Sequence, residues 1–531
     1  MDDLLIRGGR VLDGTGAPGR EADVVIAGAR ITEIAPGSTR TAKREVDARG
    51  QVVAPGFIDI HTHSDYTLPL NPRAESKIRQ GVTTEVVGNC GFSIAPALPG
   101  TSAMLKEYLS ASAPWLPMKD TSFADYLDTY PATAVNVVPQ VGHNTLRLMT
   151  VGMARRAATA EELQQMASLL EEALAAGALG LSSGLFTAPG ANAAPEEIHT
   201  LARILKKHGA RYSTHIRDEG PGVFEAVREA IDVARQTGVH VQIAHLKLSG
   251  MDNWGRAKVL LDEIAAARAQ GIPVDCDQYP YDTGTNPLRN LLPSWVQEGG
   301  VGAMLERLKE ESVRARLRAD IDRAGLNNFG RIPSWDAVRV AISASQPAIN
   351  GRTIGDVARE RRLDAFDQVC DCILSDKGHT RILVTSMAEE DVNAITGTPW
   401  ILVGSDGNSL ATEGITSQGM PHPRFYGTHT RVLGACVRDL RLLSLEQAVH
   451  KMTGGSAEAL GWTERGWLKP GCFADVTVFD PARIADVATY ESPHQYATGV
   501  STVVVNGEVV IDGGEHTGAL PGRMIRRPVL H

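Results

Sequence analysis

Two hydrophobic rhythms run along this chain, and they occupy different regions. The first fifty residues alternate short β-rich runs with turns: Asp3 to Ile6, Arg10 to Leu12, Asp23 to Ile26 and Arg30 to Ile34. The same style returns late, at Asp475 to Phe479 and at Val503 to Ile511. There Asn506-Gly507 stands between β-branched runs, a strong hairpin signal. The middle is different. Strand-like runs at 57–63, 82–88, 135–142, 178–183, 211–215, 239–245, 272–276 and 400–406 alternate with helical patterns such as Ala160 to Ala176, Gly222 to Thr237, Trp254 to Gln270 and Glu389 to Ile395. Eight strands with intervening helices predict a (β/α)8 barrel of the TIM type, an α/β fold. The simplest arrangement brings both chain ends together in one small β-sandwich domain, residues 1–55 and 461–531, beside a barrel spanning 56–460. The gap between the seventh and eighth strands, about 277–399, is too long for an ordinary connection. It predicts an inserted subdomain at about 285–350, near the mouth of the barrel.

In such a barrel the chemistry sits at the C-terminal ends of the strands and in the loops after them. Gly56-Phe57-Ile58-Asp59-Ile60-His61-Thr62-His63 ends the first strand in two histidines one residue apart. Residues i and i+2 of a strand share a face, so His61 and His63 project two imidazoles to one side. Cys90, His215, His245 and Asp406 stand at or just past the ends of the second, fifth, sixth and eighth strands. Imidazole, thiolate and carboxylate are zinc's ligands, and three protein ligands with an open position mark a catalytic site. Cys90, His215 and His245 make one such set; His61 and His63 make a second position that Cys90 can bridge. Asp406 is placed to act as general base. Taken singly, each histidine reads as an ordinary core or surface residue, and the argument rests on the set. His143 also ends a strand, where it can simply hydrogen-bond a loop. Asp59 and Asp406 can each cap a helix, and placement favours Asp406 for chemistry. Cys276 reads as a small buried apolar side chain.

Charge and length narrow the classes. With 531 residues the chain can bury a large core. A net charge of −9 without a local Lys/Arg cluster argues against nucleic acid or an anionic membrane as partner. No apolar run approaches the roughly 20 residues needed to span a bilayer. The start, Met1 to Arg7, lacks the pattern of a secretory signal. Six scattered cysteines make no disulfide framework, and Cys370 and Cys372 share a helical stretch. The expectation is a cytoplasmic enzyme acting on small molecules.

GFIDIHTH, the later strand-end histidines and SDG resemble the amidohydrolase superfamily. Within it, GNCGFSIAP at 88–96, VGHNTLR at 141–147, GALGLSSGL at 177–185, STHIRDE at 213–219, YPYDTG at 279–284, LVGSDG at 402–407 and HPRFYGT at 422–428 resemble the N-acyl-D-amino-acid deacylases, or D-aminoacylases. That resemblance implies zinc held tightly by Cys90, His215 and His245, a weaker metal position at His61 and His63, and Asp406 as base. It implies that Arg424 holds the substrate's α-carboxylate, helped by Tyr279 and by Thr285 where the family usually has Ser; Lys247 is a further substrate contact. A guanidinium fork suits that role physically, with Lys247 or Arg217 the alternatives to Arg424. The superfamily's commoner bridge, a carboxylated lysine on the fourth strand, has no counterpart in Leu179 to Ser183, and Cys90 is the substitute. Departures from the family pattern are Thr187, where an aromatic is frequent, and Leu246, where a histidine is frequent. Two other readings stay in view: a dipeptidase or other amidase of the superfamily, and a metal-free scaffold with the same barrel.

Overall fold

The computed structural model describes residues 1–110, 113 and 115–527. Eight parallel strands build its centre. Phe57–Asp59, Val82–Val87 and Asn136–Pro139 pair in order, and the third strand continues at Val141–Gly142. From there the order runs through Gly180–Gly184, Arg211–His215, His240–Ile243 and Val274–Gln278 to Ile401–Val403. The ring closes between the eighth and first strands by a parallel bridge of Thr62 to Gly407. Asp406 N donates to the His61 carbonyl (2.9 Å) and His63 N to the Gly407 carbonyl (3.0 Å). The barrel is therefore sealed at the level of the candidate ligands.

Helices wrap the outside, each for a legible reason. Ala160–Ala176 opens on a capping box in which Thr159 and Glu162 satisfy each other's backbone N–H, and it stops at Gly177 in the left-handed conformation. Met166, Leu170 and Leu174 recur on one stripe and are fully buried against the barrel. Each contributes about 1.5–3 kcal/mol by leaving water.

The chain ends combine as expected, but into one hydrogen-bonded sheet of nine strands. Asp2–Val11 is a single strand rather than two, bent where its register shifts between Ile6 and Gly9. Ala42–Asp47 and Val52–Pro55 join it as parallel partners, and Val52–Pro55 carries the late strand Val476–Phe479 antiparallel on its other edge. Leu4, Ile6, Val24, Ile26, Val476 and Val504 fill the core of this unit. The hairpin turns at Asn506-Gly507, both with positive φ.

Two expected bounds need correction. The insertion is a three-stranded antiparallel sheet, Thr283–Pro287, Arg381–Thr385 and Val338–Ile342, with Arg381–Thr385 in the middle. It reaches Thr385, beyond the expected 350, because helices Ile354–Arg361 and Ala365–Ser375 belong to it. The second part of the β-domain likewise does not hold everything after 461. Residues 523–525 leave it and run along the third barrel strand, where Val137 N donates to the Arg523 carbonyl and Ile525 N to the Val137 carbonyl (2.9 and 2.8 Å). No helix among the described residues is long and apolar enough to cross a membrane.

Candidate metal centre and active site

All six expected ligands meet in one place. Ligand atoms of His61, His63, Cys90 and Asp406 lie within 4.8 Å of one another, and so do those of Cys90, His215 and His245. Cys90 belongs to both groups. Its Sγ is 3.3 Å from His61 Nε2 and 3.4 Å from His245 Nε2. Two zinc bonds of about 2.0–2.3 Å at a tetrahedral angle span roughly 3.5 Å, so these separations suit a shared ion. The donor chemistry fits as well. Burial alone pushes the Cys90 thiol up, yet the imidazoles of His61 and His245 outweigh it and hold the thiol well below its usual range. Thiolate is the ligating form.

The backbone there departs from regular strand. The regular first strand stops at Asp59, and His61 and His63 follow on an irregular segment held by the closing bridge. Cys90, His245 and Asp406 have φ of 54°, 35° and 46°. Non-glycine residues pay for that conformation, which clusters at functional sites. Tight packing demands glycine beside them. A Cβ on Gly404 would stand 2.5 Å from the His61 Cβ and 2.7 Å from Asp277 Oδ1. One on Gly91, whose φ is +80°, would meet Asn144 Oδ1 at 2.4 Å and Gly184 N at 2.6 Å.

Two carboxylates without an expected role support the ligands. Asp277 lies 3.3 Å from His61 Nδ1, accepts from the His245 backbone N–H (2.9 Å), and accepts from Gln242 (2.6 Å). Glu219 Oε1 takes Lys247 Nζ at 2.6 Å and faces His245 Nδ1 at 3.0 Å and His215 Nε2 at 3.4 Å. Burial would raise Glu219, but His215, Lys247 and His245 outweigh it and keep it ionised well below the usual range. Such partners orient the imidazoles of metal sites. Phe186 stacks on His215 with ring centroids 3.7 Å apart. Position offered a signal for both acids: Asp277 is the penultimate residue of the seventh strand, and Glu219 closes the STHIRDE stretch.

Asp406 Oδ1 accepts from His63 Nε2 at 3.1 Å, and its Oδ2 accepts from Arg424 Nη2 at 2.8 Å. Burial again raises this acid, while Arg424, His245 and His63 hold it well below its ordinary value. Arg424 also donates Nε to the Asp406 carbonyl (2.9 Å), leaving Nη1 as its one nitrogen without a partner among the described residues. Its guanidinium lies 4.4 Å over the Tyr279 ring, and Lys247 Nζ lies 5.6 Å from the same ring. Thr285 lines the same cavity, of about 340 Å³, from the first strand of the insertion, and Thr187 lines it too. Other candidates fall outside. His143 is buried against Glu197 (2.7 Å). Arg217 is paired with Glu229 (2.8 Å). Asp59 is paired with Lys77 (2.8 Å). Leu246 and Cys276 belong to the apolar core.

An eight-stranded barrel with clustered metal ligands at its strand ends defines a class, and the chain belongs to it: the amidohydrolase family model matches residues 44–511. Within the family, the D-aminoacylase of Alcaligenes xylosoxydans xylosoxydans is 39% identical over 99% of this chain and 98% of its own length. The N-acyl-D-aspartate deacylase of the same organism is 38% identical over 98% of this chain and 95% of its own. A crystal structure of N-acyl-D-glutamate deacylase from Bordetella bronchiseptica, complexed with zinc and a phosphonate mimic of the tetrahedral intermediate, has a TM-score of 0.81 and 35% identity, covering 99% of each chain.

Proposed function

We propose that this protein is a zinc-dependent hydrolase that cleaves the amide bond of N-acyl-D-amino acids to a carboxylate and a free D-amino acid. The observation that carries the reading is one cavity containing a thiolate shared by two donor groups, a carboxylate beside them and a buried arginine behind that carboxylate. Cys90, His215 and His245 would hold zinc, which when bound would supply a Lewis acid for the amide carbonyl and lower the pKa of water toward ~7. His61 and His63 offer the weaker second position. Asp406, ionised, takes the proton of the attacking water and delivers it to the departing nitrogen. Nη1 of Arg424, helped by Tyr279, Thr285 and Lys247, holds the α-carboxylate and so fixes which end of the substrate faces the metal. The D configuration is carried over from the relatives.

The test is metal analysis of the purified protein together with a panel of N-acetyl-D-amino acids, N-acetyl-L-amino acids and dipeptides assayed for free amine. Stoichiometric zinc and turnover of the D series are expected. Cys90→Ala, His215→Ala and His245→Ala should lose zinc and activity together, because each removes one of three bonds. Asp406→Asn should keep zinc and lose most turnover, since an amide cannot accept the water proton. Turnover confined to dipeptides would move the reading to a dipeptidase, and a folded zinc-free protein would make it a scaffold.

A further inference from the structure

One side chain of the HPRFYGT stretch stands beside the proposed chemistry without a part in it. His422 is buried, lines the cavity, and has both ring nitrogens engaged. Nδ1 accepts the backbone N–H of Arg424 at 3.0 Å. Nε2 faces the Thr283 carbonyl at 2.9 Å. A backbone amide can only donate and a carbonyl can only accept, so the ring is neutral with its proton on Nε2. The surroundings agree: burial and the charge of Arg424 hold His422 well below its usual range. The His422 carbonyl also accepts the Phe425 N–H (3.1 Å). One residue thus satisfies the first two N–H groups of helix Arg424–Arg431, which have no partner inside the helix. Tyr279, Tyr281 and Tyr490 meet the ring in T-shaped contacts, with centroids 6.2, 5.2 and 5.3 Å away. A ring held at both nitrogens and packed by three tyrosines cannot turn.

We propose that His422 is a positioning residue, a strut that sets Arg424, and through it the α-carboxylate site, at a fixed place against the inserted sheet. The inference rests on the deacylase reading. Its path of contacts is continuous. Thr283 opens the strand Thr283–Pro287, which carries Thr285 two residues further on. His422 joins that strand to the first residue of the helix, and this first residue is Arg424 itself. At the far end of the same side chain, Nε and Nη2 are fastened to Asp406. Arg424 is therefore held at both ends, by His422 at the backbone and by Asp406 at the guanidinium. Nη1 takes its direction from the two together. Tyr279 belongs to the same assembly, since its ring meets His422 and also lies 4.4 Å from the Arg424 guanidinium. Pro423, between the two, brings no N–H of its own to compete for the ring.

The experiment measures kcat and KM on the zinc-loaded full chain, for the N-acetyl-D-amino acid of the panel cleaved fastest and for its α-amide. A misplacement of about 1 Å in a positioned group can cost about 100-fold. His422→Ala should accordingly lower kcat/KM for the acid by about 10- to 100-fold, chiefly through KM, and lower it less for the α-amide. The acid-to-amide ratio should fall with it. Two conservative variants separate the bonds. His422→Asn keeps an acceptor for the Arg424 N–H, and His422→Gln keeps a donor within reach of the Thr283 carbonyl. Each should recover part of the ratio. A residue that only stabilises the fold lowers the thermal midpoint and the active fraction without moving KM or that ratio. Unchanged KM and ratio in all three variants would overturn the strut, and the Asn and Gln variants decide alone if the Ala variant does not fold. Zinc should stay stoichiometric, because neither ring bond goes to a metal ligand. Zinc lost together with activity would make His422 a support of the metal site instead. If zinc is bound and no N-acyl-D-amino acid is cleaved, it is the deacylase reading that fails. The strut is then decided by equilibrium binding of N-acetyl-D-alanine against its α-amide. A preference for the acid that weakens in the variants supports it; no preference, or one that the variants keep, overturns it.

Discussion

Arg424 does two things with one guanidinium. It fastens the backbone and carboxylate of Asp406 through Nε and Nη2, and its Nη1, without a partner among the described residues, is the nitrogen proposed to hold the α-carboxylate. Truncating one partner of a buried charge pair costs about 2–5 kcal/mol. Arg424→Ala should therefore lower kcat/KM for an N-acyl-D-amino acid by roughly one and a half to three and a half orders of magnitude. The matching neutral amide should also slow, because Asp406 loses the partner that orients it. Equal rates on the amide before and after substitution would mean that Arg424 is an anchor alone. Metal uptake carries a pH signature at the same scale. Burial and Lys247 push His245 down, but Cys90 and Glu219 outweigh them and leave it at about 9. His215 lies below its ordinary value, chiefly through burial, and Cys90 is already thiolate. Below pH 9 a proton on His245 thus competes with the ion, so affinity is lost as pH falls. Zinc affinity should rise about tenfold per unit between pH 7 and 9, with about one proton released. Titration calorimetry in buffers of different ionisation enthalpy measures that proton, and its absence would remove His245 from the ligand set or from the protonated state. The candidate ligands were legible because each stands at or just past the end of a strand-like run, which is a local pattern. Asp277 and Glu219 were not singled out: each stands near a strand end, but which imidazole it supports shows only in the contacts it makes.

Elements differ in the same way. Ala160–Ala176 was readable to the residue because its start and stop are written in Thr159, Glu162 and Gly177. The middle strand of the insertion was hidden: Arg381–Thr385 is five residues long, and its partners lie about 40 and 95 residues earlier. The run at 523–525 was hidden too, since nothing in Arg523 to Ile525 announces a partner at Val137. Truncating the chain after Leu520 tests its weight. It removes the bonds to Val137, that of Gly522 N to the Thr133 carbonyl (2.8 Å), and that of Asn506 Nδ2 to the Pro521 carbonyl (2.8 Å). At about 0.5–1.5 kcal/mol each, the loss of these four is roughly 2–6 kcal/mol. Urea unfolding should show it as a lower midpoint, and an unmoved midpoint would make the run ornamental.

At the scale of the whole molecule, the ring of eight strands and the sheet of nine are each closed by residues distant in sequence. Thr62 meets Gly407 at the ligands, and Val52–Pro55 meets Val476–Phe479 beneath them. The second closure has a consequence in time. Val52–Pro55 leaves the ribosome with one edge bare, and the strand that covers that edge is about 420 residues away. At roughly 5–20 residues per second, the apolar edge stays open for about 20–80 s. A nascent chain therefore spends most of its synthesis with an unpaired template for another strand on display. Whatever shields that edge during translation, a chaperone or transient contacts within the growing barrel, sets how much of the protein reaches its folded form.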